Sequence, residues 1–213
     1  MPAAAPAHLT PRKRPLQARA EVTLDAIFEA TVQVLLRDGS QRLTTTRVAE
    51  RAGVSVGTLY QYFPHKQALI YALNERYLEV LADRIEATCR THQGAPLDQM
   101  VEALVNTYWQ AKTEQVDVTR ALYRSVVEID NEAMIEAFAA RVDAATAAML
   151  ASAPDVSFEN MQSVSLALVT VIFGTVRNVF ERNLFAAATQ AIQAEVLLMC
   201  RSYLQAVGSV SAR

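Results

Sequence analysis

The segment from Thr45 to Phe63, TTRVAERAGVSVGTLYQYF, constrains the fold of this chain more than any other feature. Thr44 or Thr45 is suited to cap a first short helix, and Gly53 supplies the left-handed residue that ends it. Ser55 is suited to cap a second helix. Because only three residues separate the two, the helices must cross rather than stack. The segment therefore predicts a pair of short, crossing helices.

The second of these helices has a polar face without charge. Leu59 and Phe63 lie four residues apart and would bury one side. No charged residue occurs from Val54 to Pro64, whereas an ordinary solvated helix carries Lys and Glu pairs. The opposite side carries Val56, Gly57, Thr58, Tyr60, Gln61 and Tyr62. Such small, hydroxyl, amide and aromatic groups suit base edges and phosphates. The alternative is two ordinary core helices joined by a glycine turn.

Charge is divided unevenly along the chain. Residues 1–66 contain nine Lys and Arg residues against five acidic residues, a net charge of +4. Since the whole chain has a net charge of −2, residues 67–213 carry −6. A basic end on an acidic body is typical of a protein that docks on nucleic acid with one end, although chance can also produce this division.

Three domains are predicted from these patterns. Residues 1–17 are rich in Ala and Pro and are expected to be a disordered basic arm, which either reaches DNA or serves as a solubilising tail. Residues 18–66 are predicted to form three helices, with the crossing pair at 44–63. Residues 67–213 show only helical patterns and form a larger helical domain. The chain is therefore predicted to be all-α.

Signatures of catalysis and metal binding are missing from the sequence. It contains no Glu-x-x-His, Gly-x-Gly-x-x-Gly or Cys-x-x-Cys motif. Cys89 and Cys200 are the only cysteines, and no signal sequence precedes the first domain. We expect a cytoplasmic protein that is not an enzyme and holds no cofactor or metal. A helical protein-interaction module is the alternative, but it leaves the uncharged polar face unexplained.

The crossing pair resembles the DNA-binding motif of the TetR family of bacterial transcriptional regulators. The family's small residue, turn glycine and apolar anchor fall on Ala49, Gly53 and Leu59. Its aromatic run and the lysine that follows fall on Tyr60, Tyr62, Phe63 and Lys66. His65 departs from the pattern, because the family often has Asn, Asp or Ser at this position to start the next helix.

The resemblance implies a homodimeric repressor that binds double-stranded DNA at a near-palindromic operator and is released by a small-molecule effector. Thr45, Thr46 and Arg47 are expected near phosphates. Tyr60, Tyr62 and Lys66 are expected to contact the DNA backbone and hold it in place. The base-reading group, with its capping residue, is expected to be Ser55, Val56, Gly57 and Thr58.

The last two helices are predicted to form the dimer interface, as they do in this family. Residues 164–176 are nearly continuous in apolar residues but too short for a membrane span of about 20 residues. No membrane partner is therefore expected, and the alternative is a pair of core helices in a monomer. The predicted interface residues are Leu168, Val171, Ile172, Thr175, Val179, Ala187, Ala191, Ala194 and Leu198.

The effector is expected in the larger domain. The residues proposed to contact it are Tyr108, Trp109, Tyr123, Phe173 and Arg177. Arg120 and Arg124 are further possible partners for an anionic ligand. Aromatic residues at helical spacing are more often core than pocket, so a purely structural role is the alternative.

Overall fold

The computed structural model describes residue 6 and residues 18–126, 129–184 and 186–210. The predicted arm at 1–17 lies outside these ranges apart from Pro6. Within them the chain forms nine α-helices, which confirms the all-α prediction. They are α1 (Ala18–Asp38), α2 (Thr45–Ala52), α3 (Val56–Tyr62), α4 (Lys66–Thr91), α5 (Leu97–Thr113), α6 (Val116–Ser125), α7 (Glu132–Ala151), α8 (Met161–Glu181) and α9 (Ala186–Val207).

Two compact units divide the chain. The first unit comprises residues 1–78 and 116–136, and the second comprises residues 79–115 and 137–213. The boundary suggested by the sequence at residue 66 lies inside the first unit. The segment 116–136, which contains α6, also belongs to the first unit.

The first unit has its own apolar core. Helix α1 packs against α2 and α6, and α2 packs against α3. Ile27, Val48 and Leu59 are completely buried at this junction. Ala49 is also buried, and its small side chain permits the close approach of α3. The core thus fixes the short helices α2 and α3 on the longer helix α1.

The second unit is built on α5, α8 and α9, which pack pairwise. Met100, Ile172 and Leu204 are completely buried there. Two short strands, β1 (Val156–Ser157) and β2 (Ser209–Val210), pair antiparallel beside these helices. Strands of two residues are too short to show an alternating pattern, and the sequence did not predict them.

Helix α8 satisfies a membrane helix's requirements of length and composition over its whole span, Met161–Glu181. The short apolar run at 164–176 therefore does not by itself exclude a membrane helix. Buried helices of soluble proteins have the same composition. Leu168 and Ile172 are buried in the second unit, where α8 packs against α5 and α9, so this core accounts for much of the apolar character.

Candidate DNA-binding site

Helix α2 is defined at both ends by the residues that the sequence suggested. Of the two possible caps, Thr44 is the one used, and its hydroxyl accepts a hydrogen bond from the Arg47 amide at 3.3 Å. Gly53 follows the helix with φ of 69°, in the left-handed region. The Val54 amide then donates to the carbonyl of Ala49 at 3.0 Å. Thr45 and Thr46 therefore occupy the first turn of α2, where Thr46 is exposed.

Helix α3 begins with a side-chain cap and turns a small residue outward. The Ser55 hydroxyl accepts from the Thr58 amide at 2.9 Å and lies 2.8 Å from the Thr58 hydroxyl. Gly57 is exposed, and a Cβ added there would meet only the Ser55 hydroxyl, at 3.7 Å. Since the space in front of Gly57 is open, another molecule can approach the α3 backbone closely at this point.

Tyr60 connects the two helices of the motif. Its hydroxyl lies 3.2 Å from the Thr45 hydroxyl, within hydrogen-bonding distance. The Tyr60 side chain remains 42% exposed. The pair therefore presents two hydroxyl groups side by side, a suitable arrangement for a phosphate oxygen.

Tyr62 departs from the expected position on the outer face of α3. It is only 7% exposed, and its ring lies 6.3 Å from that of Phe63. Tyr62 follows the buried Leu59 by three residues, so both project from the same side of α3. Its place in the core does not favour the predicted role of Tyr62 in holding the DNA backbone.

The start of α4 explains the unusual histidine. The Ala68 amide donates to Nδ1 of His65 at 3.2 Å, so the imidazole takes the place of the more usual capping side chains. This role requires that Nδ1 carry no proton. Lys66 is the first residue of α4, where its positive charge opposes the helix dipole. A phosphate beside Lys66 would offset that unfavourable interaction.

Arg47 is held away from the outer face of the motif. Its Nη1 atom lies 3.4 Å from Asp38 and donates to the carbonyl of Arg42 at 3.2 Å. Asp38 also accepts two hydrogen bonds from Arg37, which lower the pKa of this carboxyl group. A phosphate contact by Arg47 requires that these interactions be exchanged.

The predicted effector residues are distributed over both units. In the second unit Tyr108 stacks on Phe173 with ring centroids 4.0 Å apart, and Trp109 is buried. Arg177 is exposed on the surface and pairs with Glu181 at 2.7 Å, which favours the purely structural alternative for this residue. Tyr123 belongs to the first unit. Of the predicted residues, Tyr108 and Phe173 are therefore brought into direct contact.

Lys112 is a buried cation that the sequence reasoning missed. It is only 1% exposed, and its Nζ atom lies 5.7 Å from the centroid of the Tyr108 ring. Burial lowers the pKa of Lys112 to about 7. Its position four residues after Tyr108, on the same side of α5, is the signal that could have found it.

The predicted dimer residues fall into two groups. Leu168, Ile172 and Val179 are buried within their own chain, whereas Val171 and Thr175 are half-buried. Ala191, Ala194 and Leu198 are exposed on α9, and the side chain of Ala187 lies outside the described part. Further exposed apolar residues on these helices are Leu166, Met199, Tyr203 and Val207. The apolar surface available to a partner therefore differs in part from the predicted set.

Comparison with known proteins agrees with this architecture. Residues 27–73 match the family model of bacterial regulatory proteins of the tetR family. Residues 96–204 match the tetracyclin repressor-like C-terminal domain. A putative TetR-family transcriptional regulator from Mesorhizobium loti has the same fold, with a TM-score of 0.70 at 14% identity over 91% of this chain and all of that one.

Two curated relatives share part of the sequence. The nucleoid occlusion factor SlmA of Haemophilus ducreyi is 37% identical over 93 residues, which are 44% of this chain and 45% of SlmA. The HTH-type transcriptional repressor KstR of Rhodococcus jostii is 32% identical over 111 residues, 52% of this chain and 50% of KstR. The chain thus spans about half the length of the curated relatives it matches. On the two family matches, the chain belongs to the TetR family, a non-enzymatic family of helix-turn-helix transcriptional regulators.

Proposed function

We propose that this regulator is a cytoplasmic repressor that binds a near-palindromic operator as a homodimer and is released by a small-molecule effector. The observation that carries the DNA-binding part is the exposed face formed by the uncharged helix α3 and by Thr45 at the start of α2. It includes Gly57 with open space in front of it and the Thr45–Tyr60 hydroxyl pair. Repression is favoured by the likeness to KstR, whose name describes a transcriptional repressor.

Dimerisation follows from the size of this reading surface. One short recognition helix contacts too few base pairs for selectivity, whereas a two-fold dimer places two such helices in successive major grooves, roughly 34 Å apart. Leu198 and Met199 on α9 are more than half exposed, and Leu166 on α8 is similarly exposed. Their burial against a second copy would remove this apolar surface from water. Sedimentation should therefore give a dimer at micromolar concentration, and a monomer there would contradict the proposal.

The effector part rests on the interior of the second unit. The Tyr108–Phe173 stack is aromatic, and Lys112 lies over the face of Tyr108. An effector with an aromatic or apolar body and a hydrogen-bond acceptor fits this chemistry. By linkage, an effector that weakens operator binding must itself bind the operator-free protein more tightly by the same factor.

Retention of genomic DNA tests the DNA-binding part directly. The purified protein is mixed with sheared DNA from its own genome, and the retained fragments are sequenced. We expect fragments that share a near-palindrome, and neighbouring genes would then suggest candidate effectors. Retention of nothing above non-specific background would favour the protein-interaction module instead.

Tyr60→Phe tests the hydroxyl pair at that operator. The variant keeps the ring and loses the group that meets Thr45, so operator affinity should fall by roughly tenfold or more, the value of one hydrogen bond to a charged oxygen. Thr91→Val is the control, because it removes an exposed hydroxyl group at the end of α4, outside the motif and outside the predicted dimer helices. Equal affinity of the Tyr60→Phe variant and the parent would remove Tyr60 from the interface.

A further inference from the structure

A cleft lies between the C-terminal end of α1 and the neighbouring helix α6, within the first unit. Its volume is about 540 Å³, within the range of small-molecule sites. One wall is formed by Leu35, Leu36 and residues 39–41, which follow α1. The other wall is formed by α6, with Arg120 and Arg124 one turn apart on the same side. Neither the DNA-binding face nor the Tyr108–Phe173 stack contributes a residue to this cleft.

The two arginines have hydrogen-bond donors that no described residue uses. Arg120 uses Nη1 to contact Asp117 at 3.2 Å, but its Nε atom is buried without a hydrogen-bond partner. A buried donor without a partner carries a free-energy cost that a ligand could remove. Arg124 is exposed and makes no hydrogen bond or ion pair with any residue that the structure describes. Within the described part of the chain, both guanidinium groups therefore have donors left for a ligand.

The acidic groups of the cleft leave this positive charge uncompensated. Asp38 is already bonded by Arg37 and Arg47, and the Arg37 hydrogen bonds hold the pKa of its carboxyl low. Asp117 has a side chain that is 81% exposed, so water screens its single contact with Arg120. The cleft thus presents two cations against carboxylates that are already paired or solvated.

We propose that this cleft binds a small organic anion, a carboxylate or a phosphate monoester with a short apolar part. Arg120 and Arg124 hold the anionic group, since the planar guanidinium matches the geometry of carboxylate and phosphate oxygens. The apolar part lies against Leu35, Leu36 and Ala121. This anion site is separate from the effector site of the proposed function.

Binding in the anion site opposes binding of DNA. Asp38 in the cleft wall contacts Arg47 of α2, so the ligand's negative charge lies close to the reading helices. Two anions that bind the same small unit repel each other, and at separations near 10 Å in water the repulsion corresponds to about a twofold loss of affinity. This coupling rests on the proposed function, whereas the anion site itself does not.

Calorimetry on the protein without DNA tests the anion site. The probes are hexanoate, hexyl phosphate, inorganic phosphate and hexylamine. We expect hexanoate, hexyl phosphate or both to bind, and the tighter of the two identifies the anionic group. Inorganic phosphate should bind more weakly because it lacks the apolar part, and hexylamine should not bind. Binding of hexylamine as tight as that of the anions would overturn the proposal.

Two substitutions locate the bound anion. Arg120→Gln and Arg124→Gln should each weaken binding of the tighter anion by about tenfold or more, the value of a charge-assisted hydrogen bond. Arg182→Gln is the matched control, because Arg182 is likewise exposed but lies beyond the end of α8. Unchanged affinity in both cleft variants would overturn the proposal.

Amide chemical shifts of the parent give a second measurement that does not depend on the variants. The tighter of hexanoate and hexyl phosphate should shift the amides of residues 38–41 and 117–124, and shifts confined to the second unit would overturn the proposal. The outcomes also separate the two proposals. Anion binding through Arg120 and Arg124 without any retained operator would leave the anion site standing and reject the proposed function. Operator retention without anion binding would reject the anion site alone.

Discussion

The DNA-binding face of the first unit and the interior of the second unit use similar residues in opposite ways. Tyr60 and Lys66 lie at or near the surface, held by short-range caps and one hydroxyl contact. Tyr108 and Lys112 are buried, and they are held by packing against aromatic rings. The first arrangement has little effect on the free energy of folding. The second places a titratable cation in an apolar core, where its charged form is disfavoured.

This difference predicts how substitutions act in the two regions. On the surface face, a substitution can change DNA affinity and leave folding intact. In the interior, a substitution at Lys112 must change stability as well as any binding. A difference between the regions should therefore appear when stability and DNA binding are measured on the same variants.

The largest expected effect is on the pH dependence of stability, through Lys112. Burial lowers its pKa from 10.5 to about 7 in the folded chain. Between these values the unfolded chain binds more protons than the folded one, so the free energy of unfolding rises with pH. Lys112→Met removes this contribution. The parent should therefore gain about 2 kcal/mol more than the variant between about pH 7 and about pH 9, at roughly 1.4 kcal/mol per pKa unit.

Urea unfolding of both proteins at the two pH values measures this difference. Other titrating groups are common to the parent and the variant and cancel. Methionine keeps the length of the lysine stem, which limits the loss of packing. Parallel pH dependences would show that Lys112 keeps an ordinary pKa in the folded chain.

A smaller effect is expected at the turn between α2 and α3. Gly53 has φ of 69°, and a Cβ there would meet no atom within 4 Å, so the cost of Gly53→Ala is in the backbone alone. That cost should be about 1 kcal/mol of unfolding free energy. Gly57→Ala is the matched control. It lies inside helix α3, where alanine is favoured by up to about 1 kcal/mol.

The two glycine variants should also separate stability from binding. Gly57→Ala should fold at least as well as the parent and bind the operator less tightly, because its methyl group occupies the open space before α3. If Gly53→Ala proved as stable as Gly57→Ala, the left-handed turn would not be the constraint that its φ value indicates. Thermal unfolding and operator titration of both variants decide this.

The contrast between the regions also explains what the sequence could predict. Thr44, Gly53 and Ser55 act on neighbours within a few residues, so the sequence alone located the caps and the turn correctly. The spacing of Lys112 from Tyr108 is a local signal, but the burial of Lys112 depends on packing between distant segments, which no local pattern encodes. Leu168 and Leu198 are both apolar residues of long helices, yet one is buried and the other is 59% exposed. The cleft beside α6 was missed for the same reason, because residues 35–41 and 117–124 meet only in the folded chain.

Substitution of Lys66 tests the DNA-binding face, and we expect a modest effect on DNA affinity. Lys66→Ala should weaken binding to all DNA sequences and reduce the slope of log affinity against log salt by about one unit, because it removes one phosphate contact. Gln67→Ala is the matched control, since the neighbouring Gln67 is exposed and uncharged. A salt slope equal to that of the parent would remove Lys66 from the phosphate contacts.

The smallest effect is expected at Arg177, the surface counterpart of Lys112 in the second unit. Its side chain is 64% exposed and pairs with Glu181 one helical turn away, whose side chain is 50% exposed. Solvent screens such a pair, and ordering two long side chains offsets most of its attraction. Arg177→Gln should therefore change the free energy of unfolding by no more than about 0.5 kcal/mol, without the pH dependence expected for Lys112. Urea unfolding at the two pH values used for Lys112 measures both quantities. A loss above about 1 kcal/mol would mean that Arg177 makes a stronger interaction than this surface pair, beyond those that the described residues supply.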